Sequence, residues 1–173
     1  LGFCVFNDLP YSAKNLIAEG YVKKVLILDL DVHQGDGTID ICQNDPHIFT
    51  CSIHSESNFP FQKKKGWMDI SLPAGTKDEA YLDMLSQTLL SIERILTPDL
   101  VLFDAGIDVY IEDGLGNLEL SIEGIQKRDK IVFEHYRGKN IPVATVIGGG
   151  YSKDTSELAY RHGLIFESAI NYL

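Results

Sequence analysis

The stretch VKKVLILDLDVHQGDGT, residues 22–38, begins as an apolar run and ends in a cluster of polar residues. Residues 22–30 are rich in valine, isoleucine and leucine, which is the pattern of a β-strand covered on both faces. Similar runs follow at 48–53, 100–106 and 141–147, and each ends in a polar or glycine-rich turn. The sequence therefore predicts four buried strands.

Helical patterns alternate with these runs. They span 8–20, 78–96, 121–137 and 154–172, and each begins at an Asp or Ser, residue types that are preferred as helix N-caps. The second pattern places five apolar side chains at three- and four-residue steps, which is a stripe suited to packing on a sheet. These side chains belong to Tyr81, Leu85, Leu89, Ile92 and Leu96.

This alternation of strands and helices predicts an α/β fold. We expect three layers, with a mostly parallel β-sheet in the middle and helices on both faces. Ligands of such folds bind beyond the carboxyl ends of the strands. No repeat or linker divides the sequence, so residues 1–173 are predicted to belong to one domain.

The charge balance disfavours some partners. The net charge of −10 argues against direct binding of nucleic acid, and the basic run Lys63 to Lys65 is too short to offset it. A cationic partner fits this charge better. No apolar run approaches the roughly 20 residues that cross a bilayer, so we expect no membrane association.

Cysteine usage indicates the compartment. Cys4, Cys42 and Cys51 form an odd set without CxxC spacing, which disfavours both a disulfide framework and a thiolate metal site. The first residues, LGFCVFND, carry no signature of a secretion signal. We therefore expect an intracellular, cytoplasmic protein.

Ionisable side chains concentrate at the end of the first predicted strand. Asp29, Asp31, His33 and Asp36 lie within eight residues. If the chain stays extended, alternation puts the first three on one side, so Asp31 and His33 can bind the same ion. Asp108, after the run 100–106, supplies a further ligand from another strand end. A structural alternative is that Asp36 caps the next helix and Asp29 bonds to backbone groups.

The residue types indicate which ion is bound. Two carboxylates and one histidine leave a fourth position open, as at a catalytic zinc that activates water. Magnesium or calcium prefers an all-oxygen shell, and a two-metal site needs more bridging carboxylates than this sequence offers. We therefore predict a single zinc held by Asp31, His33 and Asp108.

Five motifs occur along the chain in a specific order. They are GFCVFND at 2–8, DLDVHQGDGT at 29–38, DAGID at 104–108, DGLGNLELS at 113–121 and GGGY at 148–151. Together they resemble the histone deacetylase family of the arginase–deacetylase fold. The resemblance is strongest to the class IV branch and to bacterial deacetylase-like proteins.

The resemblance implies a role for each matching residue of the reaction site. Asp31, His33 and Asp108 match the zinc ligands. Tyr151 matches the tyrosine that donates a hydrogen bond to the oxyanion, and its place after three glycines suits delivery of a hydroxyl into a cleft. Asp29 and Asp36 match the carboxylates that tune a tandem His-His pair in the family.

The resemblance also implies a cation site and a substrate channel. Asp29 and Ser52 match residues that hold a structural potassium ion beside the zinc. Five residues match the lining of the acyl-lysine tunnel, and these are Gly2, Phe3, Phe59, Gly149 and Gly150. The expected substrates are acylated lysine side chains of proteins or acylated polyamines.

The His-His pair of the family precedes the GFC motif and is absent from this sequence. We therefore expect an N-terminally truncated sequence, with residues 1–173 forming the C-terminal portion of a single larger deacetylase-like domain. On this interpretation the full-length parent is a zinc-dependent amidohydrolase, and the present chain alone is inactive.

Two other functions are compatible with parts of the pattern. One is a non-catalytic module that binds acyl-lysine without hydrolysing it. The other is an arginase-type amidine hydrolase, which requires two metals per chain. The second is disfavoured because no carboxylate lies two positions from Asp108.

Overall fold

A computed structural model describes residues 3–172. Within this part of the chain, five parallel strands form one sheet in the order β3-β2-β1-β4-β5. The strands are β1 Val25–Asp29, β2 Ile48–Ser55, β3 Met68–Leu72, β4 Leu100–Asp104 and β5 Val143–Val146. The apolar run of residues 22–30 thus supplies the central strand of the sheet.

Helices cover both faces of this sheet, which confirms the predicted α/β three-layer fold. The helices are α1 Asp8–Ala18, α2 Asp36–Cys42, α3 Asp78–Ile95, α4 Ile122–Arg137 and α5 Thr155–Ala169, and a 3-10 turn Ile170–Tyr172 follows. Val25 and Ile27 of β1 pack with α1, whereas Leu26 and Leu28 pack with the apolar side chains of α3, α4 and α5. Alternation along a fully buried strand therefore separates two cores.

The predicted strands are confirmed; three of them are shorter than predicted, and β2 continues two residues beyond its predicted end, to Ser55. One strand, β3, is absent from the prediction because its sequence MDISL carries two polar residues and lies at the edge of the described sheet. A half-exposed edge strand lacks the continuous apolar run that reveals a buried one.

Two of the four predicted N-caps are confirmed. The Ser121 hydroxyl accepts from Gly124 N at 3.0 Å, and Asp154 accepts from the backbone N–H groups of Ser156 and Glu157. The N-caps predicted at residues 8 and 78 are wrong, because each is already the first residue of its helix.

Asp78 has a different role in the structure. Its carboxylate accepts from the Ser121 backbone N–H at 2.8 Å and from the Ser121 hydroxyl at 2.6 Å. It therefore joins the start of α3 to the start of α4.

Two predictions from composition can be compared with the structure. Cys4, Cys42 and Cys51 are free thiols, with Cys4 exposed and the other two buried. Among residues 3–172, no helix is both long enough and apolar enough to cross a lipid bilayer.

The sheet register determines where the polar motifs meet. Asp29 ends β1 and Asp104 ends β4, and these two residues are direct partners in the parallel pairing. The loops that follow the two strands therefore leave the sheet side by side at its carboxyl edge. This places the segments that carry Asp31 and Asp108 next to each other.

The apolar stripe of α3 gives a stability test. Leu85 is 0% exposed and Leu90, on the same helix, is 51% exposed. Leu85→Ala should lower the free energy of unfolding by about 2–5 kcal/mol, because it leaves a cavity in the core. Leu90→Ala, the matched control, should change it by less than about 0.5 kcal/mol. Urea denaturation measures both, and equal effects of the two substitutions would contradict the assigned core.

Candidate metal centre

Asp31 and His33 lie in the bend that follows β1. The prediction that an extended chain brings them to one side is wrong in its mechanism, because the strand ends at Asp29 and residues 31–33 bend. The bend itself brings them together. The backbone N–H of His33 donates to Asp31 Oδ1 at 2.8 Å, and the ring Nδ1 lies 2.8 Å from the same oxygen.

Asp108 lies in the loop after β4, and its side chain is fully buried. Its Oδ1 accepts from the backbone N–H of Val32 at 2.8 Å, which ties it to the Asp31 loop. Its Oδ2 lies 3.1 Å from His33 Nδ1. One ligand atom from each of Asp31, His33 and Asp108 lies within 4.8 Å of the others. The structure thus brings together the three residues predicted to hold a metal.

The electrostatics of this trio follow from two carboxylates around one imidazole. Burial lowers the pKa of His33, but Asp108 and Asp31 raise it more, to about 10. Burial raises the pKa of Asp31, and His33 overcomes this and lowers it below its ordinary value. Burial and the charge of Asp31 raise the pKa of Asp108 to about 7. The two carboxylates therefore favour a positive charge between them, which a proton on His33 or a metal cation can supply.

The donor atoms fit a divalent cation. Asp108 Oδ2 is buried, and its ion-pair contact with His33 Nδ1 at 3.1 Å is not accompanied by a hydrogen bond from any described residue. A buried carboxylate oxygen that accepts no hydrogen bond is costly unless a cation lies beside it. Two oxygens and an imidazole nitrogen match the donor set of zinc.

Two glycines make room for the carboxylates. A Cβ atom on Gly106 would lie 2.7 Å from Asp31 Oδ2, and one on Gly149 would collide with the same oxygen and with Asp108 Oδ2. The Gly149 N–H donates to Asp31 Oδ2 at 2.7 Å. Gly106 of DAGID and Gly149 of GGGY are therefore required by close approach to the ligands.

Tyr151 stands next to this trio. Its ring centroid lies 6.2 Å from that of His33 and 5.8 Å from that of Phe3. Its backbone N–H donates to Asp113 Oδ2 at 2.7 Å, and its carbonyl accepts from Gly114 N at 3.2 Å. Burial and the charges of Asp31 and Asp108 raise the pKa of Tyr151 to about 12. The hydroxyl therefore stays protonated at neutral pH and can donate a hydrogen bond.

Asp29 belongs to a second group of polar side chains, beneath the trio. It is the register partner of Ser52 on one side and of Asp104 on the other, and such partners point to the same face of a parallel sheet. Burial and the charges of Asp104 and Asp31 raise the pKa of Asp29 well above the usual range, and burial and the charges of Asp31 and Asp108 do the same for Asp104. The Ser52 hydroxyl lies 3.0 Å from His54 Nδ1. Asp29 and Ser52 are thus adjacent, as a monovalent cation site requires, and the cation itself stays a prediction.

The remaining predicted residues that the structure describes lie on α2, in the β2–β3 loop and after β5. Asp36 is the first residue of α2 and Gly35 is its N-cap, so the alternative in which Asp36 caps the helix is wrong. Phe59 lies in the β2–β3 loop with its ring centroid 6.5 Å from that of Phe61. The space beside Gly150 is filled by the Ile107 side chain. Gly2 lies outside the described residues.

Three residues of this region are missing from the sequence-based site. Asp104 ends an apolar run, and its place beside Asp29 follows once the register is known. Asp113 holds the backbone of Tyr151. Arg128 is a charged residue three positions after Ile125 and four before Val132, within the buried stripe of α4. A charge in such a stripe is the signal that could have identified it.

Comparisons with known proteins agree on one family. A family model described as the histone deacetylase domain matches residues 1–164. An uncharacterized protein of Picosynechococcus sp. is 44% identical over 97% of this chain and 56% of its own length. Histone deacetylase 2 of Arabidopsis thaliana is 33% identical over 95% of this chain and 45% of its own length.

A solved structure gives the same result. The crystal structure of an HDAC homolog from Aquifex aeolicus is 30% identical, with a TM-score of 0.85 over 98% of this chain and 47% of that protein. The chain thus spans about half the length of the relatives it matches.

The shifted pKa values predict how metal affinity depends on pH in the full-length protein. A divalent ion binds deprotonated ligands, so it competes with protons and binds more tightly as the pH rises. Below about pH 7, binding displaces protons from both Asp108 and His33. Affinity should therefore rise about 100-fold per pH unit below about 7, and about 10-fold per unit between about 7 and 10. Competition with a chromogenic chelator of known protonation measures this.

Asp108→Asn is the control for the steeper range. It should bind metal more weakly and show only the 10-fold dependence of about one proton below about pH 7, because only His33 still titrates. Since Asp108 no longer raises the pKa of His33, this dependence should level off at a lower pH than in the wild type. A wild-type affinity that is independent of pH would contradict the assigned ligands.

Proposed function

The chain belongs to the histone deacetylase family, and on this premise we propose that the full-length protein is a zinc-dependent hydrolase of acyl amides. The observation that carries the proposal is the approach of Asp31, His33 and Asp108, with one ligand atom from each within 4.8 Å of the others. The reaction adds water to an amide and releases a free amine and a carboxylic acid.

Asp31, His33 and Asp108 would hold the zinc. When bound, zinc supplies a Lewis acid that polarises the amide carbonyl and lowers the pKa of a bound water. The chain contributes a buried, largely preorganised set of donors, since Val32 N and Gly149 N already fix the two carboxylates. This preorganisation favours tight binding of the ion.

Tyr151 would stabilise the negative charge that develops on the carbonyl oxygen as water adds. Its hydroxyl stays protonated, because burial and the nearby carboxylates raise its pKa to about 12. Hydrogen bonds from and to the Asp113–Gly114 turn hold its backbone, so little reorganisation is needed in the transition state.

Asp29 and Asp36 would orient the histidine pair that transfers the proton in the family and has no match among the 173 residues. Asp29 has one anchored oxygen, because its Oδ1 accepts from the Asp31 backbone N–H at 3.1 Å. General-base help of this kind contributes on the order of 10²–10⁴ in rate. Without these histidines, the 173-residue chain alone should be inactive.

The substrate would be an acylated lysine side chain or an acylated polyamine. Phe3 and Tyr151 pack edge to face with centroids 5.8 Å apart and offer apolar surface beside the trio. Such a wall suits the alkyl stem of an acylated amine. The net charge of −10 favours a substrate with positive charges flanking the acyl group.

Replacement of the Tyr151 hydroxyl tests the mechanism. In the full-length protein, Tyr151→Phe should lower kcat by about 10²–10³ on acetyl-lysine peptides, since it removes one donor to the oxyanion. Bound zinc and KM should change little. Tyr160→Phe is the control, because Tyr160 is 55% exposed on α5. Steady-state kinetics with metal analysis measures these quantities.

Two results would contradict the proposal. Full activity of Tyr151→Phe would exclude the assigned role of the hydroxyl. Binding of acetyl-lysine peptides by the wild type without any turnover would instead support the non-catalytic module.

A further inference from the structure

Arg128 on α4 is a fully buried arginine. A guanidinium in the core is costly unless its charge and its donors are satisfied. Asp129 satisfies part of this need, since its Oδ1 accepts from Arg128 Nε at 2.9 Å and lies 2.8 Å from Nη2. Apolar replacements of buried ion pairs are often neutral or stabilising, so stability alone does not account for the pair.

The other N–H groups of Arg128 reach backbone carbonyls from two loops. Nη1 donates to Gly106 O at 2.5 Å and to Leu30 O at 3.3 Å. Nη2 donates to Ala105 O at 3.3 Å. One side chain from a helix thus connects the chain just after β1 with the chain just after β4.

These carbonyls lie close in sequence to the metal ligands. Leu30 directly precedes Asp31, and Gly106 lies two residues before Asp108. The regular pairing of β1 with β4 ends at Asp29 and is extended by one bond, from Leu30 N to Asp104 O at 3.1 Å. Beyond that bond the sheet no longer fixes the separation of the two loops.

We infer that Arg128 is a positioning residue for the metal centre, because its guanidinium sets the distance between the loops that carry Asp31 and Asp108. The inference rests on the proposed metal-dependent function. Arginine suits this role because its planar fork of five donors can hold several acceptors at fixed angles. A lysine ammonium, a single point of charge, cannot span the same carbonyls.

Metal titration of full-length variants tests the inference. Arg128→Lys and Arg128→Met should each bind zinc about 10–100-fold more weakly than the wild type, as is typical when support for metal ligands is lost. The cobalt-substituted Arg128→Lys protein should also show an altered visible absorption spectrum, because that spectrum reports ligand geometry.

Arg161→Lys is the matched control. Arg161 is also buried, with Nη1 4.0 Å from Asp113 Oδ2 and its guanidinium over the ring of Tyr110, and its Nε and Nη1 form no hydrogen bond with any described residue. Its variant should be less stable to urea yet keep the zinc affinity and cobalt spectrum of the wild type. If circular dichroism shows that Arg128→Met does not fold, Arg128→Lys decides the question.

The outcomes separate this inference from the proposed function. A wild-type protein that binds no zinc would overturn the proposed function itself. A wild type that binds zinc, with Arg128 variants of equal affinity and unchanged cobalt spectrum, would overturn the positioning role alone. An equal loss of affinity in Arg161→Lys would also overturn it, because the effect would then follow from core stability.

Discussion

Two carboxylates, those of Asp31 and Asp108, converge on the single imidazole of His33, with the Asp108 side chain fully buried and the other two largely buried. Two negative carboxylates with ligand atoms within 4.8 Å of each other repel strongly unless a cation lies between them. A proton on His33 satisfies this demand in part, which is why its pKa is raised to about 10. A divalent ion would satisfy it more fully. The surrounding structure is arranged to keep the carboxylates together in spite of this repulsion.

Contacts from several elements of the fold hold the Asp31 and Asp108 carboxylates together. The parallel pairing of β1 with β4 brings the two strand ends together at Asp29 and Asp104. The Arg128 guanidinium on α4 donates to a backbone carbonyl of each loop, at Leu30 and at Gly106. The Gly149 N–H, after β5, donates to Asp31 Oδ2. The turn at Asp113 then holds Tyr151 beside the trio. Each of these contacts comes from a different element, so the site depends on the tertiary fold.

Features that depend on local sequence pattern could be predicted from the sequence. These are the apolar run of β1, the apolar stripe of α3 and the trio Asp31, His33 and Asp108. Features that depend on tertiary contacts could not be predicted. The bend at 31–33, the edge strand β3 and the carbonyl contacts of Arg128 depend on neighbours distant in sequence, and Asp78 bonds to Ser121 across 43 residues instead of capping its own helix.

The most direct test of the central claim is the zinc content of the purified full-length protein. We predict one zinc per chain in the wild type, close to full retention in Asp83→Ala, whose side chain is exposed on α3, and a large loss in Asp108→Ala, because removing a protein ligand disrupts both charge and geometry. Two zinc ions per chain, or one that survives Asp108→Ala, would contradict a single metal held by Asp31, His33 and Asp108.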